Sequence, residues 1–268
     1  MNKLLIAAIA AMGMASIANA DTVGSLDAYV IQEGNNTAVY QLEAEANLSF
    51  GLAEGVEGLA GGKLLFTDGV ASTVQLNEWY VGGRFANDYY LTLGKQDDLW
   101  IDGLTRQVST DLSKPVSGEF SAIAGFDGDV MAGAIFVGYD AATEKVTNTQ
   151  VALQFGTPVA VFNTVTTVLD YQRATDNYMV GVATEGTVFA VDALTAITYA
   201  SATNLVSYEL GARYNGVLGF VGGNSNDAVR YVGAGYEFAV GNADLWLEGS
   251  YNLRTDEPKF GAGVSFKF

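Results

Sequence analysis

The feature that most restricts how this chain can fold is hydrophobic alternation at period two, repeated in segments of about ten residues and carried through to the last residue. Along 40–50, Tyr40, Leu42, Ala44, Ala46, Leu48 and Phe50 fall on one side, and Gln41, Glu43, Glu45, Asn47 and Ser49 on the other. Successive side chains of a strand point to opposite faces, so such a segment is a ribbon with one greasy and one wet face. Val232, Ala234, Tyr236, Phe238 and Val240 oppose Tyr231, Gly233, Gly235 and Glu237 in the same way. Leu245, Leu247, Tyr251 and Leu253 likewise oppose Trp246, Glu248, Ser250 and Asn252. A half-buried strand of a soluble sandwich reads similarly in isolation. What separates the two is the final segment, where Phe260, Ala262, Val264, Phe266 and Phe268 alternate with Gly261, Gly263, Ser265 and Lys267. A soluble domain usually ends in a frayed polar tail. The pattern predicts an all-β chain forming a transmembrane antiparallel β-barrel.

Turn residues divide the chain into segments near 24–32, 38–52, 57–68, 73–86, 88–100, 119–126, 129–140, 146–156, 159–172, 177–186, 189–200, 204–215, 217–223, 227–240, 243–254 and 257–268. That is 16 strands, an even number as in single-chain bacterial barrels, with 14 the alternative count. Tight connections at 86–88, 126–128, 156–158, 215–216 and 241–243 alternate with longer polar ones at 33–37, 141–148, 223–228 and 254–257. One irregular stretch, 100–117, is too long for a hairpin turn and contains Asp102, Arg106, Asp111, Lys114 and Pro115.

Lys3 followed by an apolar run that ends in Ala18-Asn19-Ala20 reads as a secretory signal, 1–20, cleaved after Ala20. The run is too short for a spanning helix, and Gly, Asp, Asn or Thr interrupts every later apolar stretch. If the remaining domain, 21–268, is integral to a membrane, it must therefore cross with strands. Abundant glycine (32 residues), scarce proline (3) and 12% aromatics suit closely packed, twisted strands. There is no cysteine, which removes disulfides and zinc thiolate sites, and no histidine, which removes the usual general base and the commonest transition-metal ligand. A net charge of −17, more negative still without Lys3, argues against nucleic acid as a partner.

The segment Trp79-Tyr80-Val81-Gly82-Gly83-Arg84-Phe85, followed by Leu91-Thr92-Leu93-Gly94-Lys95-Gln96-Asp97, resembles a hairpin of the general Gram-negative porins, with Lys95 where that family has arginine. Gly235-Tyr236-Glu237-Phe238 and the final Phe-Lys-Phe are similar to the family's closing strands. The resemblance implies a 16-stranded homotrimer in the cell outer membrane, reached through the periplasm, with both termini periplasmic. It also implies a third loop folded inward as a constriction, which maps onto 100–117 with Asp97 and Asp98 at its entry and Asp102 and Asp111 within it. The sequence departs from the family by presenting Glu43 and Glu45 where relatives commonly place arginines.

On this reading the chain is a water-filled channel for passive diffusion of small hydrophilic solutes and ions. It is expected to be no enzyme and to need no cofactor or metal, with outer-membrane lipid and lipopolysaccharide as its surroundings. By parity the acids Glu43, Glu45, Asp170, Glu209, Glu237 and Glu248 face inward and outnumber the inward bases, assigned as Arg213 and Lys267, so cations should be preferred. Trp79 and Trp246 are also assigned inward, which keeps a substrate-specific channel as the rival. A closed structural or adhesive barrel is the second alternative. A barrel protease or phospholipase is disfavoured for want of histidine.

Overall fold

The computed structural model describes residues 21–34, 36, 38–68, 73–86, 88–101, 104, 112, 120–159 and 162–267. All regular structure among them is strand. In chain order the elements are β1 (Asp21–Glu33), β2 (Val39–Ala53), β3 (Val56–Asp68), β4 (Thr73–Phe85), β5 (Tyr89–Lys95), β6 (Phe120–Asp127), β7 (Met131–Asp140) and β8 (Lys145–Val159). They continue with β9 (Phe162–Gln172), β10 (Asn177–Val188), β11 (Val191–Ala200), β12 (Leu205–Tyr214), β13 (Val217–Asn224), β14 (Tyr231–Val240), β15 (Ala243–Asn252) and β16 (Glu257–Lys267). The predicted signal, 1–20, lies outside the described residues.

Each strand pairs antiparallel with its sequence neighbours, and β1 closes on β16 from Ser25 opposite Lys267 to Glu33 opposite Lys259. The barrel therefore has 16 strands, and the count of 14 is excluded. Closure removes every sheet edge, the condition for a sheet to stand in hydrocarbon without stranded amides. The two faces follow the alternation, with Val232, Tyr236, Phe238, Val240, Leu247 and Tyr251 exposed on the outside. Glu43, Glu45, Glu237, Trp246 and Glu248 lie on the inside by register.

Two expectations are corrected. The fifth strand ends at Lys95 rather than near residue 100, because the chain there leaves the wall. Trp79 points outward, 39% exposed, with its ring 5.8 Å from that of Phe120. The cause is a bulge. Lys63 pairs with Glu78 and Leu64 with Leu76, so Asn77 has no counterpart and the parity of β4 inverts beyond it. An inserted residue flips every later side chain to the other face.

The connections at one end are short, as at Asn215-Gly216, where φ values of 47° and 79° fit the left-handed turn that this residue pair favours. Those at the other end are longer. Outward aromatics form a belt near each end: Tyr40, Tyr171, Tyr178, Tyr199 and Tyr251 toward the loops, and Phe50, Phe85, Tyr89, Phe126, Phe155, Tyr214, Phe238 and Phe266 toward the turns. Amphipathic or large aromatic rings in two girdles flank the apolar band of membrane barrels.

Candidate functional site

Beyond Lys95 the chain enters the barrel. Its exit is tied by Thr92 Oγ1 donating to Gln96 Oε1 at 2.6 Å, and by Ser121 Oγ donating to the Gly94 carbonyl at 3.2 Å. Trp100, Ile101 and Leu112 are buried against Val168 of β9, Met179 of β10 and Ala196 and Ala200 of β11. Leu104 extends the contact to Leu194 of β11, Leu218 and Phe220 of β13 and Tyr231 of β14. By register these wall residues share the inner face. The described part of the loop thus lies across the inside of β9 to β14, held there by burial of apolar surface.

The wall is shaped to receive it. A Cβ on Gly181 would stand 3.1 Å from Ile101 Cδ1 and 3.3 Å from Trp100 Cζ2, and one on Gly211 would stand 2.9 Å from Leu104 Cδ1. Gly181→Val is therefore expected to overpack the seat and cost about 1–3 kcal/mol. The check is a lower unfolding temperature of the folded barrel in detergent, with Gly181→Ala closer to the parent.

Polar bonds fix the loop's height. The amide N–H of Leu99 donates to Gln150 Oε1 at 2.7 Å, and that of Leu104 to Glu209 Oε2 at 2.8 Å. The hydroxyl of Tyr231 donates a short bond to the other oxygen, Glu209 Oε1. Asp98 caps the turn by accepting from the Trp100 amide at 3.0 Å. Asp170 accepts from Asn148 Nδ2 at 2.8 Å and from Gln172 Nε2 at 2.7 Å.

The wall formed by β1 to β4 is different, carrying a charged network. Lys63 Nζ lies 3.5 Å from Glu43 Oε2, 3.2 Å from Glu78 Oε1 and 3.9 Å from Asp97 Oδ2. Tyr29 donates to Glu43 Oε1 at 2.8 Å, Asn47 Nδ2 to Glu45 Oε1 at 2.6 Å, and Tyr80 to Asn47 Oδ1 at 2.7 Å. One lysine thus sits among three acids from β2, β4 and the start of the loop. The local balance is negative.

The structure sorts the sequence-predicted residues into distinct places. Glu43, Glu45 and Asp97 come together around or beside Lys63, with Asp97 the most exposed of them. Glu237 and Glu248 face the interior on β14 and β15. Asp170 and Glu209 also face inward, but both are fully buried, so they brace the wall and the loop rather than meet water in the pore, which corrects their reading as lining residues. Arg213 lies opposite Asp192 across β11 and β12, and Lys267 Nζ is 3.0 Å from Asp244 Oδ2. Asp102 and Asp111 lie outside the described residues. Parity assigned only two bases inward, yet Lys63, Arg84 and Lys259 share that face. Glu78 and Arg84 were missed because they follow the bulge. Among the described residues no cluster of His, Cys, Asp and Glu is arranged to hold a metal ion.

A closed antiparallel barrel of 16 strands with a chain segment seated against its inner wall is the fold of the bacterial porins. Among solved structures, a mutant of the Rh. blastica porin superposes with a TM-score of 0.74 at 10% sequence identity, over 93% of this chain and 100% of that one. A loop-deletion mutant of OmpT, an outer membrane protein of Vibrio cholerae, gives 0.61 at 16% identity, over 93% and 99% of the two chains. Salmonella typhi OmpF in complex with daunomycin gives 0.63 at 12%, over 93% and 97%. No family model and no curated protein sequence matches the chain.

Proposed function

We propose that this protein is an outer-membrane porin whose lumen passes small hydrophilic solutes and ions down their gradients, with cations preferred. The observation that carries the reading is the division of the barrel interior. A loop packs on β9 to β14, while on the wall from β14 through β16 to β4 the inward acids Asp27, Glu33, Glu43, Glu45, Glu57, Glu78, Glu237, Asp244 and Glu248 outnumber the inward bases Lys63, Arg84, Lys259 and Lys267. Carboxylates lining a narrow water path raise the local concentration of counter-ions. The apolar outer face and its two aromatic belts support insertion in a bilayer. Passive diffusion needs no catalysis, and the reading includes no enzymatic step.

Homotrimer assembly and contact with outer-membrane lipid and lipopolysaccharide are part of the same proposal, supported by the shared fold alone. So is removal of residues 1–20. The substrate-specific alternative loses its aromatic track, because Trp79 faces outward and Trp246 is buried 6.0 Å from the ring of Tyr29. The test is the reversal potential of the purified protein in a planar membrane under a KCl gradient. A potential of the sign set by potassium is expected, in current steps that come in threes. Chloride preference would refute the selectivity, and absence of conductance would favour a closed barrel.

A further inference from the structure

The turn between β10 and β11 breaks the pattern of its end of the barrel. Every other hairpin there places an outward aromatic on a strand close to its turn: Phe50, Phe85, Phe126, Phe155, Tyr214 and Phe238. On β10 and β11 the outward residues near the turn are Thr184, Gly186, Val188, Val191, Ala193 and Thr195, with no ring among them. The aromatic is in the turn itself, since Phe189 is 97% exposed, beside Val188 at 38%. Both central residues, Phe189 and Ala190, have left-handed backbone, with φ of 49° and 65°. That conformation is normally given to Asn and Gly, the residues found in the neighbouring turn at Asn215-Gly216.

We propose that Phe189 is a membrane-interface anchor, the member of the turn-end aromatic belt that hairpin β10–β11 supplies from its turn instead of its wall. The occupant of this surface is the headgroup boundary of the lipid bilayer. The argument is continuity. The belt runs round the turn end, its gap falls on this one hairpin, and a ring in water at that gap would expose apolar surface for no return. The uncharged, apolar sequence Val188-Phe189-Ala190-Val191 suits a turn immersed at the boundary, whereas the other described turns at this end carry Glu, Asp or Asn. The inference rests on the bilayer reading above and goes beyond it in fixing the depth of one hairpin.

Because the chain has no cysteine, a single Phe189→Cys variant carries one fluorescent label. It is reconstituted in phosphatidylcholine vesicles containing nitroxide-labelled lipid, beside Tyr214→Cys in the belt and Asn242→Cys in a polar turn. Val188→Cys is a second probe of the same turn should the first variant fold poorly. Quenching at 189 or 188 is expected to match that at 214 and to exceed that at 242 severalfold. Labels at 189 and 188 that behave like the one at 242, while 214 is quenched, would overturn the anchor and leave the barrel in its membrane. Absence of quenching at 214 as well would overturn the membrane reading itself.

Discussion

Glu209→Ala is expected to loosen the loop inside the barrel and to appear in single-channel recordings as excess open-channel noise with excursions to higher conductance. Glu209 is fully buried on β12 and accepts from the Leu104 amide and the Tyr231 hydroxyl, so one carboxylate joins the loop to two strands of the wall. Hydrogen bonds to a charged group contribute about 1.5–3 kcal/mol, and a buried donor deprived of its acceptor loses that in full. Each 1.4 kcal/mol is a factor of ten, so the detached population should rise roughly ten- to a hundredfold. Glu209→Gln keeps an oxygen for the Leu104 amide and an amide group for the Tyr231 oxygen, and should lie close to the parent. Quiet traces of unchanged conductance in the alanine variant would mean that the packing of Trp100, Ile101 and Leu112, with the bond from the Leu99 amide to Gln150, holds the loop without Glu209.

How much of this was legible in the sequence depends on which interaction fixes each feature. Strand number and facing were legible because the two-residue repeat is a property of the backbone, and a lipid face and a water face print it directly. The assignment of Trp79 failed because a bulge is set by pairing with β3, and Asn77 carries no local mark of being the extra residue. Lys63 was missed for a related reason. It belongs with Glu43 and Glu78 only once β2, β3 and β4 are in register, and register is a relation between strands. Parity also tells which way Asp170 and Glu209 point but not what covers them, so two acids read as lining the pore proved to be braces. The apolar residues at 100, 101, 104 and 112 were a usable signal for the inserted loop. Large apolar groups in a polar loop need a surface to bury against, and the inner wall offers one.

The acid wall supplies the sharpest test of selectivity, because its charge can be moved in both directions at one place. Glu43, Glu78 and Asp97 surround Lys63, three negative charges against one positive, all within 3.9 Å of the ammonium. A unit charge about 4 Å away is worth about 1 kcal/mol in water, roughly fivefold in the local concentration of a counter-ion. Replacing both Glu43 and Glu78 by glutamine leaves Asp97 and Lys63 in balance, and the ratio of potassium to chloride permeability should fall by roughly an order of magnitude. Lys63→Met should act oppositely and raise the ratio several-fold, since it uncovers the acids without adding one. Both shifts should be largest in dilute salt, where the screening length exceeds about 10 Å, and should shrink toward 1 M, where it is about 3 Å. Shifts of the same sign in the two variants would mean that the substitutions act by changing the width of the pore. Opposite signs that fade with salt can come only from the charge of this wall.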